Sequence, residues 1–292
     1  MEPVVEQTQC RYGKMYFFAS DPIIGASLKE YGEWAQAEID LLLGLIEPGS
    51  VVIDVGAFIG THTLAFASQV GAHGQVYSFE PQPDHFQLLQ RNVAENGLTN
   101  VKLFSLGLSD GNEDMGAEVY DPLHSTNFGA ASLAPWDKSE RRHRVTARKL
   151  DDLSLGRCDF IKLDTEGMEA SILKGATASL KTWRPIVYAE CNSLAKGWPI
   201  IEIMRQFNYE TRLHTASAYN LRNYRSNKNN IFIGAREVGL LFIPAEKETV
   251  VDKKCTIHND VFPIVSLDDL ALGLLKKPQY KNEVLARTIA AG

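Results

Sequence analysis

Residues 51–66, VVIDVGAFIGTHTLAF, predict the strand, turn and helix around which the rest of the chain folds. The first five residues are apolar and β-branched except for Asp54, a composition typical of a buried parallel strand. Gly56 and Gly60 enclose a tight turn, in which the absence of a Cβ lets the backbone approach a ligand closely. A helix is predicted to begin at Thr61. Asp54 therefore lies near the carboxyl end of a strand, where open α/β sheets bind their ligands.

The spacing of the glycines bears on the kind of ligand. A dinucleotide-binding turn has the pattern G-x-G-x-x-G, whose second glycine makes room for a pyrophosphate at the helix N-terminus. Phe58 occupies that position here, so the pattern D-x-G-x-x-x-G favours a nucleoside ligand without a diphosphate. An NAD-linked oxidoreductase shares the strand, turn and helix, and it is an alternative that Phe58 disfavours.

A second strand is predicted at residues 76–79, within the sequence QVYSFEP of residues 75–81. Glu80 stands at the carboxyl end of this strand. It follows Gly60 by about 20 residues, the distance at which an acidic residue of dinucleotide-binding folds accepts hydrogen bonds from ribose hydroxyls. We therefore expect Glu80 to bind the ribose of a nucleoside cofactor, and a solvated loop carboxylate is the alternative.

Two further strands are predicted at residues 159–163 and 186–189, and polar side chains follow both. Asp164 and Glu166 come after the first strand, and Glu190 and Asn192 come after the second. Because parallel strands end at the same edge of a sheet, we expect the three carboxylates to face one crevice. Clustered acids raise one another's pKa, which makes a carboxylate a useful general base near neutral pH.

The oxygen atoms of these four side chains also suit a metal ion. They are the ligands that Mg²⁺ and Ca²⁺ prefer, and a divalent ion would lower the pKa of an acceptor hydroxyl. The sequence has no His-x-His pattern or cysteine cluster, so zinc is not expected, and no metal is assigned. Lys162 is a candidate to orient the carboxylates. His62 is an alternative base, although a histidine at this place is more typical of a structural role.

Several of these segments together resemble a known family. The turn DVGAFIGTHT, residues 54–63, and the strand end FEPQP, residues 79–83, are similar to the S-adenosylmethionine site of class I methyltransferases. The segments NFGAASL, residues 127–133, and FIKLDTEGMEASILKGA, residues 160–176, narrow the resemblance to the FkbM family. The resemblance covers residues 30–235, and K-x-D-x-E-G is its most specific part.

The resemblance implies S-adenosylmethionine as the cofactor and assigns residues to three roles. The implied cofactor-binding residues are Asp54, Gly56, Ala57, Gly60, Thr61, Thr63, Glu80, Pro81, Ser105, Leu106 and Asp164. The implied substrate-binding residues are Asn127, Ser132 and Asn192, and the implied catalytic residues are Asp164, Glu166 and Glu190. Ser105 and Leu106 stand at the end of a predicted third strand, residues 101–105, where the adenine base is expected.

The resemblance also implies a Rossmann-like α/β fold of the class I methyltransferase type. Its seven-stranded, mostly parallel sheet carries helices on both faces and ends in an antiparallel strand, with the antiparallel pair predicted at residues 209–213 and 230–234. A lead-in of residues 1–48, with a strand at 14–19 and a helix at 30–46, precedes a methyltransferase domain of residues 49–236. That domain has an irregular insertion at residues 110–148. Residues 237–292 form an extension that is a docking helix, a dimer element or a tail.

Composition argues against several classes of protein. The chain has 292 residues, of which 45% are hydrophobic, and its formal net charge of −6 argues against a general nucleic-acid-binding protein. No apolar run approaches the roughly 18 residues of a membrane span. The N-terminus lacks a signal-peptide pattern and the four cysteines are scattered, so we expect a cytoplasmic protein with reduced thiols. One segment of the chain is strongly basic and contains Arg141, Arg142, Arg144, Arg148 and Lys149. It is interpreted either as a solvated face or as a binding patch for an anionic substrate.

These patterns predict an S-adenosylmethionine-dependent O-methyltransferase that acts on a free hydroxyl of a sugar, a glycan or a natural product. Its expected partners are a small-molecule or glycan acceptor and, in a homodimer, a second copy of the chain. The alternatives are an NAD-linked oxidoreductase and a non-catalytic nucleoside-binding module. The carboxylates that follow residues 159–163 argue against the module, because the fold has no structural need of them.

Overall fold

The computed structural model of the chain describes residues 4–119, 133–140, 142–249, 251 and 260–275. The strands in chain order are β1 (Val5–Cys10), β2 (Gly13–Phe18), β3 (Val51–Val55), β4 (Gln75–Phe79), β5 (Val101–Phe104), β6 (Gly107–Leu108), β7 (Glu113–Glu118), β8 (Leu133–Pro135), β9 (Arg142–Arg148), β10 (Phe160–Leu163), β11 (Ile186–Glu190), β12 (Tyr209–Ser217), β13 (Arg236–Pro244) and β14 (Val261–Pro263). The α-helices are α1 (Ile24–Tyr31), α2 (Gln36–Leu45), α3 (Thr61–Val70), α4 (Pro83–Glu95), α5 (Glu169–Lys174), α6 (Thr177–Trp183), α7 (Leu194–Arg205) and α8 (Leu267–Leu275).

The main sheet has the strand order β14-β12-β13-β11-β10-β3-β4-β5. The five strands from β11 to β5 are parallel, whereas β12, β13 and β14 pair with their neighbours in antiparallel fashion. Helices α5 to α8 cover one face, where they pack on Ile53 and Leu163, and helices α2 and α3 cover the other, where they pack on Val52 and Phe160. The predicted Rossmann-like α/β class is confirmed. Within the described residues the sheet has eight strands rather than seven, because β14 adds a short strand at the edge.

The predicted strand at residues 230–234 is wrong, because β12 pairs instead with β13. Two local features break an extended backbone here. The side chain of Asn230 accepts a hydrogen bond from the Phe232 amide at 2.9 Å, which forms a turn, and Ile233 has a φ of +52°. The sheet therefore continues to Pro244, past residue 236 where the predicted methyltransferase domain ends.

The predicted single helix at residues 30–46 is also wrong. Helix α1 ends at Gly32, whose φ of +68° lets its amide donate back to the Leu28 carbonyl, and α2 begins only after Ala35. The connection between them is held by buried Glu33, which accepts hydrogen bonds from Arg11 at 2.6 Å, Asn220 at 2.7 Å and the Tyr224 amide at 2.8 Å. This connection carries Trp34 away from both helices.

The insertion at residues 110–148 contains regular structure that was not predicted. Strands β7, β8 and β9 form, with β6, a four-stranded sheet in the order β6-β9-β7-β8. The alternation in β9, where Val145 and Ala147 are buried between polar neighbours, is the strand signal that the basic character of this segment obscured. Arg142 pairs with Glu140 and Arg144 with Asp114, so these two basic side chains have acidic partners on the protein. Asn127 and Ser132 lie outside the described residues.

Among the described residues, no helix combines the length and the apolar character that a membrane span requires.

Asp21 is the N-terminal anchor of α1 and supports a prediction about pH. Its Oδ1 accepts hydrogen bonds from the amides of Ile23 and Ile24 at 3.0 and 3.2 Å. Burial raises the pKa of Asp21 from 3.8 to about 6, although these hydrogen bonds oppose the rise. As the pH rises from 3.8 to about 6, the unfolded chain therefore loses this proton before the folded chain does, and the free energy of unfolding falls.

We expect Asp21→Asn, which stays neutral, to raise the free energy of unfolding at pH 8 by up to about 3 kcal/mol relative to the native chain. At pH 3.5 the two proteins should differ by less than about 1 kcal/mol, because the native carboxyl is then protonated in both states. Urea denaturation at the two pH values measures both differences. An effect of the substitution that is the same at both pH values would contradict the prediction.

Candidate functional site

A cleft opens at the carboxyl ends of β3, β4 and β10. Its empty volume is about 770 Å³, including the solvent at its mouth. Eight of the predicted site residues line it, and they are Gly56, Ala57, Thr61, Glu80, Pro81, Leu106, Asp164 and Glu166. The strand ends thus bring together residues that lie more than a hundred positions apart in the chain.

The glycine turn after β3 packs directly against the end of β10. Gly56 has a φ of +76°, and a Cβ at this residue would lie 1.8 Å from the carbonyl oxygen of Asp164. Phe58 has a φ of +50°, and its buried ring lies edge-on to His85 with ring centroids 4.5 Å apart. The side of the turn that faces β10 therefore has no room for a side chain at residue 56. The ring of Phe58 occupies the place where a dinucleotide-binding turn has its second glycine.

Glu80 joins the ends of β3 and β4. One of its carboxylate oxygens accepts a hydrogen bond from the Phe58 amide at 2.8 Å, and the other accepts one from the Gln82 amide at 2.8 Å. His85 approaches the second oxygen at 3.8 Å. A carboxylate has about four acceptor positions, so Glu80 keeps acceptor capacity on the side that faces the cleft.

Lys162 is a buried cation beneath the cleft. The register of the parallel strands places it opposite Asp54 on β3, and its Nζ lies 3.9 Å from Asp54 Oδ1 and 3.0 Å from Asp164 Oδ2. Burial favours the neutral amine, but the charges of Asp164, Asp54 and Glu38 outweigh it and raise the pKa of Lys162 above its usual value. Lys162 is therefore charged at neutral pH and fixes the position of Asp164.

Asp164 and Glu190 form a hydrogen-bonded pair at the ends of β10 and β11. Burial and the charges of Asp164 and Glu166 raise the pKa of Glu190 well above its ordinary value. Burial would also raise the pKa of Asp164, but the charge of Lys162 and the hydrogen bond from Glu190 lower it. The proton of the pair therefore resides on Glu190 and Asp164 is ionised, whereas the sequence predicted that clustering raises the pKa of both acids.

The backbone after β10 is held in an unusual conformation. Glu166 has a φ of +54°, which is uncommon for a residue other than glycine. Oε1 of buried Glu169 accepts hydrogen bonds from the Thr165 amide at 3.0 Å and the Gly167 amide at 3.2 Å, and so fixes this loop. Glu166 lies 3.7 Å from Lys196. Backbone strain of this kind clusters at functional sites. The sequence analysis did not consider Glu169, the second acid of E-G-M-E at residues 166–169, which holds this loop.

Six predicted residues do not line the cleft within the described residues, and they are Asp54, Gly60, Thr63, Ser105, Glu190 and Asn192. Asp54 and Thr63 are fully buried behind the turn, where the Thr63 hydroxyl donates to Asp54 at 2.7 Å. Gly60 immediately precedes α3, and Ser105 is exposed beyond β5. Glu190 contacts Asp164, which does line the cleft, and half-buried Asn192 lies beyond β11.

Other lining residues were not predicted, and they include Ile24, Trp34, Gln82, His85, Leu133 and Met168. Trp34 reaches the cleft from the connection between α1 and α2, and its ring lies edge-on to Phe232 at 5.8 Å. Gly32 is a signal for the end of a helix, and from it the sequence analysis could have predicted that Trp34 lies outside a helix. Lys162, the candidate to orient the carboxylates, and His62, the alternative base, line the cleft as well.

The described part of the chain contains no group of three or more histidine, cysteine, aspartate and glutamate side chains arranged to hold a metal ion.

Comparison with protein families matches residues 54–229 to the methyltransferase FkbM domain. Among curated proteins, the chain is 30% identical over 151 residues to the hexuronic acid methyltransferase AglP of Haloferax volcanii, a match that covers 50% of this chain and 58% of that protein. It is 29% identical over 183 residues to the AMB antimetabolite synthetase AmbE of Pseudomonas aeruginosa, a match that covers 49% of this chain and 8% of that protein. The chain thus spans less than two thirds of either relative.

Two solved methyltransferase structures align with parts of the chain. A methyltransferase FkbM from Methylobacillus flagellatus KT aligns with a TM-score of 0.44 and 17% identity, over 66% of this chain and 43% of that chain. A SAM-dependent methyltransferase from Aquifex aeolicus aligns with a TM-score of 0.41 and 14% identity, over 75% of this chain and 93% of that chain.

Proposed function

Because the chain belongs to the methyltransferase FkbM family, we propose that it uses S-adenosylmethionine to methylate a hydroxyl group of a sugar, a glycan or a natural product. The observation that carries the proposal is the Asp164 carboxylate, which lines the cleft and is held at 3.0 Å by the buried ammonium group of Lys162.

The residues of the cleft fit this cofactor. Glu80 offers acceptor positions for ribose hydroxyls, and Leu106 and Leu108 supply apolar surface for a base. Gln82 lines the same part of the cleft, and its buried Nε2 has no hydrogen-bond partner among the described residues, so it is a donor that a bound base or sugar would satisfy. S-adenosylmethionine would supply an electrophilic methyl group on a positively charged sulfur.

Asp164 is suited to receive the proton of the acceptor. If the hydroxyl oxygen took the methyl group, the bond between that carbon and the cofactor's sulfur would break and leave a neutral thioether. The oxygen would then be positively charged and its proton strongly acidic. A carboxylate with a low pKa is then a sufficient base, provided that it is ionised and correctly placed. Lys162 and Glu190 meet both conditions, because they hold Asp164 in place and stabilise its charge. Positioning of the acceptor at reacting distance supplies several kcal/mol more.

The two alternatives fit the cleft less well. A dinucleotide would require space for a diphosphate where the buried ring of Phe58 packs on His85. A non-catalytic module would have no use for an ionised carboxylate beside a protonated one. The name of the relative AglP, a hexuronic acid methyltransferase, favours a sugar as the acceptor.

The proposal is tested by a transfer assay with methyl-labelled S-adenosylmethionine and a panel of acceptors, which includes neutral sugars, hexuronic acids and polyketide alcohols. We expect label on a hydroxyl oxygen, as identified by NMR of the product. A protein that binds no S-adenosylmethionine in calorimetry, or a label on nitrogen or carbon, would overturn the proposal.

Glu80→Gln should weaken the binding of S-adenosylmethionine at least tenfold. The substitution keeps the size of the side chain but removes the charge, and hydrogen bonds to a charged acceptor contribute about 1.5–3 kcal/mol each. Isothermal titration calorimetry measures the loss. Asp84→Asn is the matched control, because it removes a negative charge from the first turn of the following helix without altering the cleft. Unchanged affinity in Glu80→Gln would remove Glu80 from the site.

A further inference from the structure

Two asparagine side chains, in and just after the last turn of α4, hold the edge of β2 that does not pair with β1. Oδ1 of Asn92 accepts a hydrogen bond from the Tyr16 amide at 2.7 Å, and its Nδ2 donates one to the Tyr16 carbonyl at 3.0 Å. Asn96 makes the same pair of hydrogen bonds with Lys14, at 2.9 and 2.8 Å. The spacings agree, because alternate residues of a strand lie about 7 Å apart and four residues of a helix rise about 6 Å. Helix α4 therefore binds β2 much as a neighbouring strand would.

The third hydrogen bond of each asparagine goes to a different part of the molecule. Nδ2 of Asn92 also donates to the carbonyl of Ile59 at 2.7 Å, and Ile59 lies in the turn between Gly56 and Gly60. Nδ2 of Asn96 donates instead to the Asn92 carbonyl at 2.7 Å. Asn92 thus joins β2 to the turn that follows β3, whereas Asn96 joins β2 to its own helix.

The burial of Asn92 makes these hydrogen bonds costly to lose. The side chains of Asn92 and Ile59 are both fully buried, so water does not replace a missing partner. A buried donor or acceptor that is left unsatisfied costs the desolvation of that group. Asparagine also has a low intrinsic preference for a helix. What this residue provides at a buried helical position is therefore its contacts with two other segments of the chain.

The turn that Asn92 binds has a backbone that needs support. Gly56, Phe58 and Gly60 have φ values of +76°, +50° and +94°. A positive φ is uncommon for a residue such as Phe58, and it persists only where the surroundings fix it. Helix α4 provides this support from one face, because His85 and Asn92 lie two helical turns apart. The His85 ring packs on that of Phe58, and Asn92 binds the carbonyl of the next residue.

The same turn orients the carboxylate that is proposed to bind the ribose. The Phe58 amide donates a hydrogen bond to Oε2 of Glu80 at 2.8 Å, and both residues line the cleft. Ile59 directly follows Phe58. A shift of the turn at Ile59 therefore displaces the amide that holds Glu80 in place.

We propose that Asn92 is a positioning residue for the cofactor, which holds the Ile59 carbonyl so that the turn keeps Glu80 in its binding position. By the same contacts Asn92 makes the hairpin of β1 and β2 part of the cofactor site. This inference rests on the proposed function, since it concerns the binding of S-adenosylmethionine. The hairpin lies outside residues 54–229, which the family model matches, so the inference gives a role to a segment that the family comparison does not cover.

Two matched variants separate a role at the turn from a role in docking of the hairpin. Asn92→Leu removes the hydrogen bonds to Tyr16 and Ile59 and keeps the side chain close in size. Asn96→Leu removes those to Lys14 and leaves the contact with Ile59 in place. Urea denaturation should show a loss of stability in both. We expect Asn92→Leu to weaken S-adenosylhomocysteine at least about tenfold in calorimetry, and Asn96→Leu to weaken it less than about threefold.

Hydrogen exchange measured by mass spectrometry shows where Asn92→Leu acts. The amides of residues 57–60 should exchange at least about tenfold faster than in the native protein, while those of β11, in the middle of the sheet, keep their native rates. Faster exchange in both segments would show a general loss of stability and would overturn the inference.

An equal loss of affinity in the two variants would assign the effect to docking of the hairpin and overturn the inference, as would native affinity in Asn92→Leu. A native protein that binds no S-adenosylhomocysteine would instead overturn the proposed function, and the inference with it. Should Asn92→Leu fail to fold, exchange in the native protein decides. Because the Tyr16 amide donates to Asn92, the ligand should slow exchange in residues 15–17 together with residues 57–60. Slower exchange in residues 57–60 alone, or in neither segment, contradicts the inference.

Discussion

Asp164→Asn should reduce turnover by about a hundredfold or more, while the dissociation constant for S-adenosylmethionine stays within a few-fold of the native value. The substitution keeps the size of the side chain and removes the charge that receives the acceptor proton, and loss of a positioned base costs about 10²–10⁴ in rate. Lys162 loses the charge of its 3.0 Å partner in this variant but keeps that of Asp54 at 3.9 Å. Thermal unfolding should therefore be measured beside activity.

Glu190→Gln is the informative comparison for Asp164→Asn. Since Glu190 holds the proton of the pair, glutamine can donate a similar hydrogen bond to Asp164, and we expect a loss of turnover below about tenfold. Glu166→Gln tests the third predicted acid in the same assay. Each variant is assayed in EDTA and again with added Mg²⁺, because restoration by the metal would assign these residues to an ion rather than to a proton. Full activity of Asp164→Asn would contradict the carboxylate mechanism.

Gly56→Ala should abolish the binding of S-adenosylmethionine, with a loss of more than a hundredfold. The new Cβ would lie 1.8 Å from the carbonyl oxygen of Asp164, so the turn and the end of β10 must separate. Part of the cost is the backbone, since an alanine in the left-handed region loses about 1–2 kcal/mol. The rest of the cost comes from the collision between the new Cβ and the Asp164 carbonyl oxygen. This collision pushes apart the ends of β3 and β10, which form the cleft.

Gly49→Ala separates the two contributions. Gly49 has a φ of +81°, close to the +76° of Gly56, but a Cβ there meets no atom within 4 Å. This control should therefore lose only stability and should bind S-adenosylmethionine with native affinity. Calorimetry and thermal unfolding of both variants give the comparison. If Gly56→Ala binds as well as Gly49→Ala does, the turn does not need the close approach that its geometry shows.

The sequence predicted the elements whose signals are local. Strand β3 and the start of α3 follow from a short apolar run and the glycines that enclose the turn. The predictions of secondary structure were wrong where side-chain hydrogen bonds, some of them between distant residues, determine the local backbone. The segment at residues 230–234 is a turn because of an asparagine side chain, and the helix predicted at residues 30–46 is interrupted where Glu33 binds residues almost 200 positions away.

The same distinction applies to the site. Asp164 and Glu80 could be predicted because parallel strands deliver the residues after them to one edge of the sheet. The division of one proton between Asp164 and Glu190 could not, because it depends on the distance from Lys162. The burial of Glu38 was equally hidden, since a glutamate on an amphipathic helix is ordinarily solvated, and only the packed structure shows that α2 turns it inward.

The connection at residues 32–35 contributes Trp34 to the wall of the cleft. The region matched by the family model starts at residue 54, so Glu80 and Asp164 lie inside it and Trp34 lies outside. Glu33 fastens this connection to the loop after β12 without touching the strand ends. We therefore expect exchange of Trp34 to change the shape of the cleft while every residue that the family model matches stays in place.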